Sequence, residues 1–250
     1  MINWIMAILV FIVALAGAVW PLWMDSRDAE RNWLIDGEAF ARGIFLSAAV
    51  IHMLPSAEHD FALAAGNSHY PYTFVIAVLT VFLMALLRQV ALRICQHKST
   101  SIHHHWQPYL LMLVLCIHSL IVGGALGNTP ALASFIVLSI AVLAHKGAEG
   151  FALSTNMQNC QLSIAHIWRL IIAFALMTPM GMIAGHFMQM DAATLNAHIT
   201  LAVFNAVAAG TFLYVATDEV LSNNVGKSSV TSVCYFGAGI ILMAVVAIVL

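Results

Sequence analysis

His118, His145, Lys146 and Glu149 are the residues of this chain whose types and spacing can do chemistry. They sit in runs built otherwise from Ala, Val, Leu, Ile, Gly and Phe. His145 and Glu149 are four residues apart, so on a helix they share one face. Two imidazoles and a carboxylate form a ligand set for a borderline divalent ion such as Zn²⁺, with water completing the shell. Hard ions such as Mg²⁺ or Ca²⁺ prefer oxygen alone. A site with three protein ligands and an open position suits an ion that must be exchanged. The bland alternative has each imidazole hydrogen-bonded to a backbone carbonyl inside a packed bundle.

The elements that must position these residues are membrane helices. The chain has 250 residues, 62% of them hydrophobic and 8% charged, with a mean hydropathy of +0.94. A soluble domain carries roughly 25% charged residues, so this chain cannot cover a water-facing surface. About 20 apolar residues cross a bilayer as a helix. Runs of that kind predict eight spans, near 2–23, 38–56, 72–94, 108–127, 130–154, 166–187, 198–221 and 229–250, separated by stretches such as "MDSRDAERN", "GNTP" and "SNNVGKSS". The first run lacks a basic leader and reads as a retained span rather than a secretory signal. The fourth and fifth spans are joined so tightly that they are expected to form an antiparallel hairpin, placing His118 at a depth similar to His145.

The nine Lys and Arg set the orientation. Arg27, Arg31 and Arg42 flank the first loop, Arg88, Arg93 and Lys98 the third, Arg169 the fifth and Lys227 the seventh, while the even-numbered loops and both tails hold none. By the positive-inside rule both termini are expected outside. The remaining cation is Lys146, deep in the fifth span. The whole of 1–250 is expected to be a single transmembrane domain with a cytosolic loop near 95–107. In that loop His103, His104 and His105, with His97 close by, are candidates for loose metal binding. Cys95, Cys116, Cys160 and Cys234 show no C-x-x-C spacing and predict neither a disulfide nor a zinc–thiolate site. The few, scattered basic residues point to no nucleic-acid partner. His52 is a candidate lining of the ion route, or a packing residue. Asp218 and Glu219 lie near the cytosolic end of the seventh span, and Pro179 inside the sixth is expected to kink it.

With these stretches in place, the chain resembles the ZIP (Zrt/Irt-like) metal transporter family over nearly its whole length. "GIFLSAAVIHMLP" is similar to the family's second helix. "HSL" from His118, with Gly123, is similar to H-[SN]-x-x-[DE]-G in the fourth. "HKGAEG" resembles H-E-x-P-E-G in the fifth, and "ALMTPMGMIAG" and "AAGTFLYVATDEVL" resemble the sixth and seventh. The resemblance implies an eight-helix bundle with a metal centre between the fourth and fifth helices. It puts the transport site at His118, His145 and Glu149, and a second site at Ser119 and Glu219. Two positions depart from the pattern: Val122 stands where the family has its shared fourth-helix carboxylate, and Lys146 where it commonly has an acid. The departures favour one ion, with the Lys146 ammonium standing near the missing second one, paired with Glu219 or another carboxylate, or else snorkelling to a headgroup.

The resulting expectation is a divalent metal transporter, not an enzyme, in the cell membrane, with a bacterial inner membrane compatible. Zn²⁺ is the expected cargo, Fe²⁺, Mn²⁺ and Cd²⁺ its alternatives, and movement is toward the cytosol by the resemblance. Its partners are the ion, the lipid bilayer and, as an open option, a second copy in a homodimer. Two rival readings are a non-transporting, metal-sensing relative and an intramembrane zinc hydrolase. The hydrolase needs a base where Lys146 stands.

Overall fold

The structure is a computed structural model describing residues 2–24, 32–65, 70–97, 107–129, 132–160, 162–188, 195–221 and 230–248. The described residues are helical almost throughout. In chain order the helices are α1 (Ile2–Met24), α2 (Asn32–Ser47), α3 (Leu54–Ala65), α4 (Tyr72–His97), α5 (Gln107–Gly127), α6 (Leu132–Asn159), α7 (Ile164–Met188), α8 (Leu195–Leu221) and α9 (Val230–Ala247), and a π-helical turn at Ala48–Met53 fuses α2 to α3. Long apolar runs adopt this form because a helix satisfies its backbone groups internally where there is no water. Side chains such as Trp4, Ile8, Phe82, Ile136 and Ile241 point outward, exposed, which in lipid costs nothing.

The eight expected spans map onto eight helical rods. Seven rods are long and apolar enough to cross a membrane. The other, α2–π–α3, carries Asp36, Glu38, Arg42, Glu58 and Asp60 and is far longer than the 38–56 stretch expected for it. Its apolar middle is also the part wound into the π turn, which contains His52. Smaller differences fall at the ends: the fifth span runs on to Asn159 and the eighth begins at Val230. Pro179 sits inside α7, which is continuous through it.

Packing divides the rods into two groups. α5 packs most extensively on α7 and α1 on α6, while α2 packs on α9 and α8 on α3 and α4. The expected α5–α6 hairpin neighbours touch, but each has its main partner elsewhere. Glycine is the reason. A Cβ at Gly123 would strike the Thr178 carbonyl of α7, and one at Gly17 would strike the backbone of Gly147. The second group does the same, with Gly43 against the Phe236 carbonyl and Gly239 against that of Phe40. Small residues let membrane helices approach backbone to backbone, which is where van der Waals attraction in lipid is gained. One group is thus α1, α5, α6 and α7; the other is α2, α3, α4, α8 and α9. They meet through α2–α6, α5–α8 and α6–α9 over smaller areas.

Candidate metal centre

α5 supplies His118 and Ser119, and α6 supplies His145, Lys146 and Glu149. All of them are almost wholly buried, with 0–2% of their surface exposed. His118 Nε2 stands 3.6 Å and His145 Nε2 3.5 Å from Glu149 Oε1. Both separations exceed a good hydrogen bond, and neither the two nitrogens nor Oε1 has a hydrogen-bond partner. Buried polar atoms without partners are costly, on the order of 1–3 kcal/mol each. One ligand atom from each of the three residues falls within 4.8 Å of the other two. Two ligands each about 2.1 Å from a single Zn²⁺ stand about 3.4 Å apart at the tetrahedral angle. The imidazole–carboxylate gaps are close to that chord.

The other carboxylate oxygen is occupied. Lys146 Nζ donates to Glu149 Oε2 at 2.8 Å and to Ser119 Oγ at 2.6 Å. It also lies 4.3 Å from the centre of the Phe174 ring of α7, a cation–π contact. The Ser119 hydroxyl in turn donates a hydrogen bond to the Leu115 carbonyl at 2.6 Å. The ammonium is therefore held on every side and does not snorkel. Its carboxylate partner is Glu149 itself. Lys146 and Glu149 are three residues apart, and that spacing also makes neighbours on a helix, so the long stem folds back beside the ligand face. Val122 packs with an apolar cluster that includes Leu126 and Met182.

The second group contributes an aromatic cover. The Phe212 ring of α8 stacks on His118 at 4.1 Å and meets His145 edge-on at 5.5 Å, backed by Phe45 at 4.9 Å. The sequence argument missed both Phe212 and Phe174. Phe212 belongs to "AAGTFLYVATDEVL", but an apolar residue in an apolar span carries no chemical signal.

Among the other expected site residues, His52 is half-buried in the π turn. Asp218 and Glu219 belong to the last turns of α8, and their side chains lie outside the described residues. His103, His104 and His105 also lie outside the described residues. Cys116, Cys160 and Cys234 are free thiols.

Comparison with known proteins points to one family. The profile of the family described as ZIP Zinc transporter matches residues 106–247, more than half of the chain and the part that holds α5 to α9. Mouse zinc transporter ZIP2 is 27% identical over 254 aligned residues, covering 82% of each chain. Human zinc transporter ZIP2 is 28% identical, covering 72% of this chain and 73% of its own. Human zinc transporter ZIP1 is 26% identical, covering 76% and 69%.

Proposed function

The chain belongs to the ZIP zinc transporter family, a family of multi-pass membrane proteins, and from this premise we propose that it carries Zn²⁺ across the cell membrane toward the cytosol through a one-ion site formed by His118, His145 and Glu149. The observation that carries the reading is the set of unpartnered ligand atoms on α5 and α6, buried and spaced for one ion. Two nitrogens and one carboxylate oxygen offset the dehydration of Zn²⁺ better than that of harder ions, with Fe²⁺, Mn²⁺ and Cd²⁺ as alternative cargo. Both termini face outside in this reading, which the Lys and Arg distribution supports, and 1–250 acts as one transport unit.

In this reading Lys146 takes the place of a second metal. It claims Glu149 Oε2 and leaves Oε1 to face the imidazoles, so the carboxylate meets the ion through one oxygen. Fixed in this way, Glu149 stays aimed at the ion position when the ion is absent.

Transport requires the site to face one side and then the other by relative motion of helix groups. The contacts between the two groups supply the parts. On one side of the ligands Phe212 covers both imidazoles. Past Glu149 along α6, Phe151 presses against Gly37 and meets Trp33 edge-on at 6.4 Å. Farther along, Asn159 donates to Glu38 at 3.1 Å. Release to the cytosol parts these α2–α6 contacts.

The test is zinc uptake by the purified protein in liposomes. Saturable uptake is expected from the parent, and a loss of at least about 100-fold in kcat/KM from His118→Ala, His145→Ala or Glu149→Ala, equivalent to about 2.7 kcal/mol. Parental rates in all three folded variants would refute the site. No uptake by the parent would refute transport.

A further inference from the structure

Among the described residues the same ligand chemistry occurs once more, about half the length of α8 from the centre. His198 Nδ1, at the start of α8, lies 3.1 Å from Asp60 Oδ1, near the end of α3. The pair is half-wet, with side chains 25% and 17% exposed. Fourteen residues separate His198 from Phe212, about 21 Å of helix, so the pair lies at the bundle's end while Phe212 covers the centre. From Asp60 inward, Ser56 and His52 follow at four-residue steps, about 12 Å in all. All three are half-buried, and the innermost sits in the π turn. A π turn inserted in a helix often marks a functional position.

Charge on that side of the molecule has one sign. In the orientation proposed above, the outer segments carry Glu58, Asp60 and Asp191 and no Lys or Arg. Such a surface raises the local concentration of cations and speeds their arrival. The pair's spacing also suits an ion. Two ligands about 2.1 Å from one Zn²⁺ stand about 3.0 Å apart at an octahedral angle and about 3.4 Å at a tetrahedral one, and the 3.1 Å gap falls between.

We infer that Asp60 and His198 are the first contact of the incoming divalent cation, an outer capture site from which Ser56 and His52 lead toward the centre. The inference rests on the transport reading for its direction, but not for its chemistry. Seating the ion exchanges the hydrogen bond between His198 and Asp60 for one nitrogen–metal and one oxygen–metal bond. The hydrogen that Nδ1 donated to the carboxylate is given up to water as one is taken from water at Nε2, so the imidazole stays neutral, and water fills the rest of the shell. With only two protein ligands and partial exposure the ion is held weakly, as an ion that must move on has to be.

Two measurements test this. In zinc uptake, Asp60→Asn and His198→Gln are expected to raise KM on the order of fivefold with Vmax within about twofold, and Asp60→Glu is expected to restore much of the loss. A pair that only ties α3 to α8 would instead lower folded yield and Vmax at unchanged KM, and that result would overturn the inference. The second measurement does not depend on transport. In a background whose native cysteines are replaced, His198→Cys is treated with an impermeant thiol reagent with and without external Zn²⁺. Zinc is expected to slow the labelling, to do so equally when His145→Ala is added, and to lose this effect when Asp60→Asn is added. Labelling indifferent to zinc, or protection that needs His145 rather than Asp60, would overturn the capture site even where uptake proceeds. Protection with no uptake by the parent would keep the site and refute the transport reading alone.

Discussion

Among the described residues two places bring imidazole and carboxylate together, and they solve the same electrostatic problem in opposite ways. At the end of α3 and α8, His198 and Asp60 satisfy each other directly at 3.1 Å with water at hand. In the centre, His118 and His145 stand 3.6 and 3.5 Å from Glu149 and satisfy nothing. The difference is Lys146. By taking Oε2 it makes the burial of Glu149 tolerable without closing the gap to the imidazoles, and Oε1 and the two facing nitrogens stay without partners. A half-wet pair tolerates imperfect partners because water completes them, whereas a dry one needs a built-in counter-charge.

Removing that counter-charge gives the largest expected effect on folding. Lys146→Met keeps the stem but strands Glu149, and breaking a buried ion pair from one side costs about 3–5 kcal/mol. Thermal unfolding in detergent checks this. The matching removal at the wet pair, His198→Gln, is expected to cost no more than about 1 kcal/mol. Equal losses at the two places would erase the contrast between them. Lys146→Glu sharpens it further. Two carboxylates side by side repel unless a cation enters, so elemental analysis is expected to count zinc rising from one toward two per chain once His103, His104 and His105 are replaced.

Much of this was legible in the sequence and some was not, for physical reasons. Apolar run length located the rods, and the four-residue spacing of His145 and Glu149 exposed the centre, because ionisable groups in a membrane need a reason to be there. Lys146 was legible as an anomaly in need of a carboxylate, Glu219 or another, and the structure pairs it with Glu149. The turn of about 100° per residue away from His145 hid the three-residue neighbour Glu149. The π turn at Ala48–Met53 left no mark in an ordinary apolar run. Asp60 and His198 lie 138 residues apart, and nothing local in either span points to the other. The helix partners α1–α6 and α5–α7 are written in the glycines, but a glycine names no partner until the backbones meet.

That last feature gives a smaller prediction on the packing that carries the site. Gly123→Ala places a methyl against the Thr178 carbonyl, and backbone cannot move aside as a side chain can. Overpacking of this kind costs about 1–3 kcal/mol, and α5 shifts with it, so weaker zinc binding is expected alongside a lower unfolding temperature. Gly237→Ala meets nothing within 4 Å, and is expected to be neutral or to stabilise α9 by less than about 1 kcal/mol. A Gly123→Ala variant as stable as the parent would show that α5 and α7 are not in backbone contact.

The central claim is that one zinc ion sits among two imidazoles and one carboxylate oxygen. X-ray absorption at the zinc edge tests it most directly, on protein carrying one equivalent of Zn²⁺ with His97, His103, His104 and His105 replaced by Ala. The account predicts a four-coordinate shell of nitrogen and oxygen at about 2.0–2.1 Å, with the multiple-scattering signature of two imidazoles, no sulfur, and one imidazole lost in His145→Ala. Sulfur in the shell, or a spectrum unchanged by both His145→Ala and Glu149→Ala, would place the ion elsewhere and contradict it.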